Sequence, residues 1–564
     1  MALSLMAGMF SACSSNSDSD ASGGGANYAN YIWAEQNNAG GAAADDGYYY
    51  ESAPETQQQG NMMTVAPGEA YDTEEEFNDG VLQHADNSAA PTATTSGVNS
   101  EEYKRIVEGG YKSTITDPLS TFSIDVDTAS YANVRRMIEQ GLNINPNAVR
   151  IEEFINYFNY DYSEPTTDDP FSVNTELSDC PWNDEAKLLL IGLKAEEIQQ
   201  EERPPLNLVF LIDVSGSMFS RDKLPLVQES FTMLTDTLNE NDRISIVTYA
   251  GGDEVVLEGT SGADKERIKD AINSLEAGGS TYGEAGINRA YELAEEYFIK
   301  KGNNRVILAT DGDLNVGISS ENELISLIED KRESGVYLSV LGFGSGNLKD
   351  DRMEALADHG NGNYSYIDSR LEAEKVLVQE MTGTLYTVAK DVKIQVEFNP
   401  TNVSGYRLIG YENRALANED FDDDTKDAGE IGAGHTVTAL YEIILTDEAP
   451  EARETDLKYS SVNYSYSESD ELLTVSLRYK KPDSDRSKKL EIPVTIDIYR
   501  QTMPENMKFA AAAAEFGMIL RGSEFRGTAS CDQILDMLGG NDYKDDEYKA
   551  EFLYLVRTMM KRGY

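Results

Sequence analysis

Fully apolar runs alternate with amphipathic stretches through the middle of the chain. Runs of this kind, bounded by polar residues, are typical of strands buried on both faces. The stretches between them place apolar residues at helical spacing. Strands that alternate with helices of this length predict an α/β domain, a parallel sheet covered by helices on both faces. The predicted strands are 206–212, 243–250, 304–310 and 336–343, and the predicted helices are 224–238, 265–275, 290–298 and 321–333.

The apolar spacing changes to every second residue after this domain, which predicts antiparallel strands with one buried face. Strands are expected at 392–398, 435–445, 473–479 and 490–498, the last at an edge because it contains Pro493. Helical spacing returns at 510–520, 533–538 and 548–559.

Two further strands, 171–177 and 187–193, precede the central domain. An isolated strand pair is marginally stable. We therefore expect these two strands to join those after residue 392 in one β-rich unit, with the central domain inserted into it.

The first hundred residues contain no Lys or Arg and are rich in Gly, Ala, Ser, Asn, Asp and Glu. Such a segment cannot bury enough apolar surface to offset its loss of conformational entropy. We expect residues 14–110 to form a disordered acidic linker, which would act as a flexible stalk.

The whole chain of 564 residues has 47 Lys and Arg against 100 Asp and Glu, a net charge of −53. This charge excludes nucleic acid as an expected partner, because binding phosphate requires cationic side chains. It equally disfavours electrostatic attachment to anionic lipid. The three histidines stand beside no convincing nucleophile, and neither G-x-S-x-G nor a P-loop motif occurs. We therefore expect a protein that is not an enzyme.

The sequence 213–218, Asp-Val-Ser-Gly-Ser-Met, directly follows the first predicted buried strand. In open α/β sheets, ligands bind outside the carboxyl ends of the strands. A carboxylate and two hydroxyls on one tight loop are hard oxygen ligands, which suit Mg²⁺, Ca²⁺ or Mn²⁺. Taken alone, the same residues could instead form a Ser/Gly turn with an Asp helix cap.

Two later segments decide between these interpretations. Asp311-Gly312 follows the strand 304–310, and a glycine-rich turn at 278–283 contains Thr281. D-x-S-x-S, G-G-S-T and T-D-G in this order resemble the von Willebrand factor type A domain with its metal-ion-dependent adhesion site. The resemblance implies that Asp213, Ser215, Ser217, Thr281 and Asp311 bind a metal, with the hydroxyls usually in direct contact and the carboxylates often acting through water. The expected metal is Mg²⁺, with Ca²⁺ or Mn²⁺ possible. We expect both carboxylates at loop tips outside the core.

The flanking regions resemble the bacterial YfbK-like subfamily of these proteins, at segments 123–131, 148–157 and 178–183 and through the C-terminal third. Asp125 and Asp127 in the first segment are interpreted as structural strand-end residues. The acidic loop 420–427 lacks the glycine that an EF-hand requires at its sixth position, where Thr425 stands. The expected organisation is a signal-like segment 1–13, the linker 14–110, an N-terminal flanking region 111–206, the metal-binding domain 207–384 and a C-terminal extension 385–564.

Small apolar residues at 2–10 precede Ser11-Ala12-Cys13. This resembles the end of a bacterial lipoprotein signal peptide and implies a lipid on Cys13, which would anchor the protein in the cell envelope, facing either the periplasm or the exterior. Apart from this anchor we expect no membrane contact, because no other run approaches the ~18 apolar residues of a transmembrane helix. Cys180 and Cys531 could form a disulfide in such a compartment or could be ordinary core residues.

The expected function is that of a non-enzymatic module, anchored in the envelope, which uses its metal to bind an Asp or Glu of a partner protein. Two alternatives stay open. The metal could only stabilise a structural scaffold, or it could activate water in a hydrolase, although no general base is evident near the motif.

Overall fold

A six-stranded sheet forms the middle layer of the central domain. The structure, a computed structural model, describes residues 101–198, 203–279, 283–312, 321–346, 348–380, 383, 385–446, 454–456, 461–463, 469–482, 484, 486–539 and 543–564. Five strands of the central sheet are parallel, and the edge strand Asp253–Ser261 is antiparallel to its neighbour. In spatial order the strands are Tyr364–Ile367, Tyr337–Phe343, Asn303–Thr310, Leu206–Asp213, Arg243–Tyr249 and Asp253–Ser261.

Helices accompany these strands in sequence, as the alternating pattern predicts. They are Leu224–Thr237, Lys265–Asn273, Gly283–Glu296, Glu321–Arg332, Asp350–His359 and Arg370–Glu374, the last continued by one π-helical turn at Lys375–Gln379. Every residue of Leu206–Asp213 is buried. The prediction of an α/β domain with a helix-covered sheet is confirmed.

Two antiparallel sheets are built jointly by segments before and after the central domain. Lys187–Ala195 lies between Phe171–Asp179 and Thr436–Leu445, and Leu119–Ser123 pairs with Thr387–Phe398. The expectation that the early strands share a sheet with the later ones, with the central domain inserted between them, is confirmed. The remaining strands of these sheets are Lys112–Ser113, Val403–Ile409, Gly429–Gly432, Glu471–Lys480 and the edge strand Ser487–Thr495, which contains Pro493; Glu454–Asp456 and Ser461–Asn463 form a separate pair.

A second apolar core lies between one of these sheets and a group of helices. The helices are Ala129–Glu139, Ile151–Asn156, Glu505–Arg521, Cys531–Met537 and Glu547–Lys561. Cys180 and Cys531 are both buried in this core as free thiols, so the disulfide considered from the sequence is not formed. Burial raises the pKa of the Cys531 thiol to about 11, which keeps the thiol protonated at neutral pH.

Buried ion pairs join the central domain to the segments that flank it. Arg414 contacts Asp125, Asp127, Glu354 and Asp358 at 2.6–3.2 Å. Asp125 and Asp127 are therefore structural, as predicted, because their carboxylates compensate a buried guanidinium. Arg135, in the helix Ala129–Glu139, is a second buried arginine and lies among the carboxylates of Asp368, Glu372 and Glu551.

Residues 101–110 do not belong to a disordered linker, in contrast to the predicted boundary at 110. Glu101 forms an ion pair with Arg136 at 2.9 Å, and the Tyr103 hydroxyl accepts a hydrogen bond from Asn133 at 2.7 Å. These polar contacts hold a stretch whose own composition gives little reason for order. Cys13 and residues 14–100 lie outside the described residues.

Within the part of the chain that the structure describes, no helix combines the length and the apolar character needed to cross a bilayer.

Candidate metal centre

The predicted site lies at the carboxyl edge of the central sheet. Asp213 is the last residue of Leu206–Asp213, and Asp311 follows the end of Asn303–Thr310. These two strands are parallel neighbours, with Ile212 opposite Ala309. The sheet register therefore brings together two carboxylates that are almost one hundred positions apart in the sequence.

The loop after Asp213 is folded back by its own side chains. The backbone N–H of Ser215 donates to Asp213 Oδ1 at 2.9 Å, and the Oγ atoms of Ser215 and Ser217 lie 2.9 Å apart. This arrangement places one carboxylate and two hydroxyls together, as the D-x-S-x-S motif predicts.

A second loop lies against the first. Gly278 N–H donates to the carbonyl oxygen of Val214 at 2.7 Å, and Gly216 N–H donates to that of Gly279 at 3.1 Å. Gly279 has φ of +88°, a conformation that glycine adopts without strain. Thr281, the fifth predicted metal-binding residue, lies outside the described residues, so its role stays a prediction.

The two carboxylates are not at exposed loop tips, and this expectation is wrong. Asp213 is 0% exposed and Asp311 1% exposed. The hydroxyls of Tyr249 and Thr310, on the two neighbouring strands, each lie 3.4 Å from Asp213 Oδ2 and help to cover it. Burial raises the pKa of Asp213 to about 6, and the charge of Asp311 adds to this increase.

The donor set fits a hard divalent cation. A buried carboxylate whose ionised form is disfavoured gains from a nearby positive charge. Among the described residues, no group of three or more His, Cys, Asp or Glu side chains could hold a metal. A cation here would therefore depend on the serine hydroxyls and on water besides the carboxylates, as Mg²⁺ commonly does.

Two residues of this region were not predicted from the sequence. Lys223 donates from Nζ to Asp311 Oδ2 at 2.8 Å, and Phe219, directly beside the serine loop, is 82% exposed. A sequence signal existed for Lys223, since a lysine just before a helix is unfavourable next to the positive end of the helix dipole. Phe219 could have been noticed as the only aromatic residue in the segment 213–223.

Comparison with known sequences agrees with this geometry. Residues 207–381 match the family profile of the von Willebrand factor type A domain, residues 97–190 that of von Willebrand factor, and residues 383–561 that of "Uncharacterized protein YfbK, C-terminal". The chain is also 45% identical over 468 residues to "Uncharacterized protein YfbK" of Escherichia coli, covering 80% of each protein. The chain belongs to the YfbK family of von Willebrand factor type A domain proteins.

Weaker similarities are found to a further protein sequence and to two solved structures. Human inter-alpha-trypsin inhibitor heavy chain H3 is 29% identical over 194 residues, which cover 32% of this chain and 22% of that protein. A solved von Willebrand factor type A protein from Catenulispora acidiphila superposes with a TM-score of 0.39 at 16% identity, covering 71% of this chain and 92% of its own. Proximal thread matrix protein 1 from the mussel byssus, solved with zinc in its adhesion motif, gives a TM-score of 0.27 at 23% identity and covers 31% of this chain and 45% of its own.

Membership of the YfbK family gives a coarse functional assignment. Von Willebrand A domains generally serve as adhesion or interaction modules rather than as enzymes, so the central domain indicates a protein-interaction module.

Proposed function

We propose that this YfbK family member binds a partner protein through a divalent cation held by Asp213, Ser215, Ser217, Thr281 and Asp311. The cation of choice is Mg²⁺, because the donors are hard oxygens and water would complete its octahedral shell. An Asp or Glu of the partner then replaces one water molecule, which fixes the orientation of the two proteins.

The observation that carries this proposal is the meeting of two buried carboxylates and two hydroxyls at the carboxyl edge of the sheet. Phe219 supports it independently. An aromatic ring exposed beside the site would cost solvation in an isolated protein, but such rings are common anchors of protein interfaces. A partner that presents an acidic residue next to an apolar one would satisfy both features.

The ion pair between Lys223 and Asp311 disfavours the alternative in which the metal only stabilises a scaffold. The ammonium already compensates one of the two buried carboxylates without a metal. The fold therefore needs a metal for its stability less than it would without Lys223, and this favours a role of the metal in ligand binding.

The test compares wild-type full-length protein with Asp213→Asn, which keeps an acceptor for the Ser215 N–H but removes the charge. Asp264→Asn is the matched control, because Asp264 is an exposed carboxylate beyond the opposite edge of the sheet. Binding of Mn²⁺, followed by the loss of the free-ion signal in electron paramagnetic resonance, should fall at least ~10-fold in Asp213→Asn only.

The second half of the test concerns the partner. Proteins cross-linked to the wild type in envelope extract with Mg²⁺ should be lost with EDTA and with Asp213→Asn, and retained with Asp264→Asn. Equal recovery by Asp213→Asn and the wild type would refute adhesion through the metal.

We further propose that lipid attached to Cys13 anchors the protein in the cell envelope, so that the binding domain acts at a membrane surface. The small apolar residues before Cys13 support this part of the proposal. The partner remains defined only by its chemistry, an accessible carboxylate.

A further inference from the structure

The Lys223 side chain extends from the start of a helix into the candidate metal centre. The residue directly precedes the helix Leu224–Thr237, its backbone carbonyl accepts the Val227 N–H at 2.9 Å, and its side chain makes no capping bond. Instead Nζ extends to Asp311 Oδ2 at 2.8 Å, with the lysine side chain 10% exposed. The ammonium is thus part of the same buried polar group as the two carboxylates.

Gly344 makes room for the lysine stem. Its φ is +76°, and a Cβ atom there would lie 2.3 Å from Lys223 Cγ and 2.4 Å from Cε. The neighbouring loop is fixed in place as well, because the N–H of Ser345 donates to the Asp222 carboxylate at 3.2 Å. The loop that follows Tyr337–Phe343 therefore has a shape that admits this side chain.

An ammonium group at this position lowers the stability of the folded protein unless another interaction offsets the loss. An ammonium at the start of a helix faces the positive end of the helix dipole, and a residue with a side-chain oxygen would cap the helix better. Removing the ammonium from water adds a further cost, which only a paired carboxylate offsets. Lys223 therefore stabilises the arrangement of the site rather than the helix that it precedes.

The charges of the site can be added up. Asp213 and Asp311 contribute −2 and Lys223 contributes +1, so these three groups sum to −1. The Asp222 carboxylate, which also interacts with Lys223, is not counted because it bonds Ser345 rather than the site. A divalent cation brings the loaded site to +1, whereas without the lysine the loaded site would be neutral. The lysine repels the metal and at the same time leaves the loaded site with an excess positive charge.

We propose that Lys223 is a built-in counter-charge that makes binding of the metal and of an acidic ligand cooperative. This inference rests on the proposed function and specifies how the site is regulated. The metal alone binds weakly because it meets a neighbouring ammonium, and an anionic ligand removes that penalty by neutralising the excess charge. Since coupling between two ligands is reciprocal, the metal raises the affinity for the ligand by the same factor.

The experiment uses full-length protein, Mn²⁺ as the metal and acetate as a monocarboxylate probe. Lys223→Met keeps an unbranched apolar stem over Gly344 and removes the charge. Lys269→Met is the matched control, because Lys269 is ion-paired with Asp236 on two neighbouring helices away from the site. Titration calorimetry gives the Mn²⁺ affinity of each protein with and without saturating acetate.

Without acetate, Lys223→Met should bind Mn²⁺ at least ~10-fold more tightly than the wild type and the control, since a repelling charge has gone. Acetate should tighten Mn²⁺ binding to the wild type and have a several-fold smaller effect on Lys223→Met. Equal Mn²⁺ affinities, or an equal effect of acetate on both, would overturn the inference.

Loss of Lys223 also removes the ammonium that pairs with the Asp311 carboxylate, so stability gives a second readout. Mn²⁺ should raise the thermal unfolding midpoint of Lys223→Met more than that of the wild type, because the metal replaces the missing charge. A variant that stays unfolded in excess Mn²⁺ contradicts the inference. If the wild type and Asp213→Asn bind Mn²⁺ equally, the proposed function fails; if only Lys223→Met behaves like the wild type, the inference alone fails.

Discussion

Glu515 offers a quantitative test of how this protein tolerates buried charge. The residue lies in the helix Glu505–Arg521, after the buried run Ala510–Ala514, and is itself 0% exposed. Neither carboxylate oxygen has a hydrogen-bond partner among the described residues. Burial alone raises the pKa of this carboxyl from 4.5 to about 8.

The sign of the effect follows from proton linkage. Between pH 4.5 and pH 8 the folded protein keeps a proton on Glu515 that the unfolded chain has released. The folded state therefore loses stability as the pH rises through this window. With these two pKa values, the cost is below ~1 kcal/mol at pH 5 and roughly 3 kcal/mol at pH 7.

Replacing Glu515 by Gln removes the ionisation and keeps the shape of the side chain. We expect Glu515→Gln to stabilise the folded protein by roughly 3–4 kcal/mol at pH 7.5 and by less than ~1 kcal/mol at pH 5, where the unfolded chain gains little free energy from releasing this proton. The measurement is the midpoint of thermal unfolding of the full chain at a series of pH values, and the expected shift at pH 7.5 is a few degrees.

Glu442 is the matched control, since it is also a buried carboxylate of the same core region. Its Oε2 accepts a hydrogen bond from Arg407 at 2.7 Å, and its carboxylate also accepts from Trp182 and Tyr111. Glu442→Gln leaves the Arg407 guanidinium, 2% exposed, without its charge partner and should cost about 3–5 kcal/mol. A stability gain in Glu515→Gln that is absent, or equal at pH 5 and pH 7.5, would refute the reasoning.

Three further outcomes are expected. Phe219→Ala should weaken partner binding by about tenfold while leaving the Mn²⁺ affinity unchanged; unchanged retention of the partner in cross-linking would contradict its role as an anchor. Arg414→Met should destabilise the protein by about 3–5 kcal/mol at neutral pH, because four carboxylates lose their shared cation. The loss should be smaller at acidic pH, since burial raises the pKa of Asp127, Glu354 and Asp358 and these three carboxyls take up protons first; denaturation at pH 5 and pH 7.5 measures both. Cys13→Ser should move the protein from the membrane fraction to the soluble fraction, and a variant that still sediments with membranes argues against the lipid anchor.

The central sheet was largely predictable because its strands are buried on both faces and read as unbroken apolar runs. The edge strands were missed for the opposite reason. Asp253–Ser261 alternates irregularly between exposed and buried residues, and Tyr364–Ile367 has only four residues. At a sheet edge, pairing with one neighbour determines the structure, and that neighbour is not visible in the local sequence.

The meeting of Asp213, Ser215, Ser217 and Asp311 at one edge of the sheet was predictable, but their burial was not. A motif at a strand end indicates which oxygens meet, because parallel strands end at a common edge. It does not give their burial, since Tyr249 covers Asp213 from a neighbouring strand. The pairing of Lys223 with Asp311 likewise depends on contacts across 88 positions.

The insertion of one domain into another also fixes an order of events during synthesis. Lys187–Ala195 pairs with Thr436–Leu445, which leaves the ribosome about 240 residues later, a delay of roughly 12–50 s at ~5–20 residues per second. All six strands of the central sheet are made within that interval. The central domain is therefore synthesised before the β-rich unit into which it is inserted is complete, and the apolar strand at 187–195 keeps one unpaired edge during that time. An unpaired apolar strand edge favours aggregation, so this interval is one in which a chaperone would protect the nascent chain.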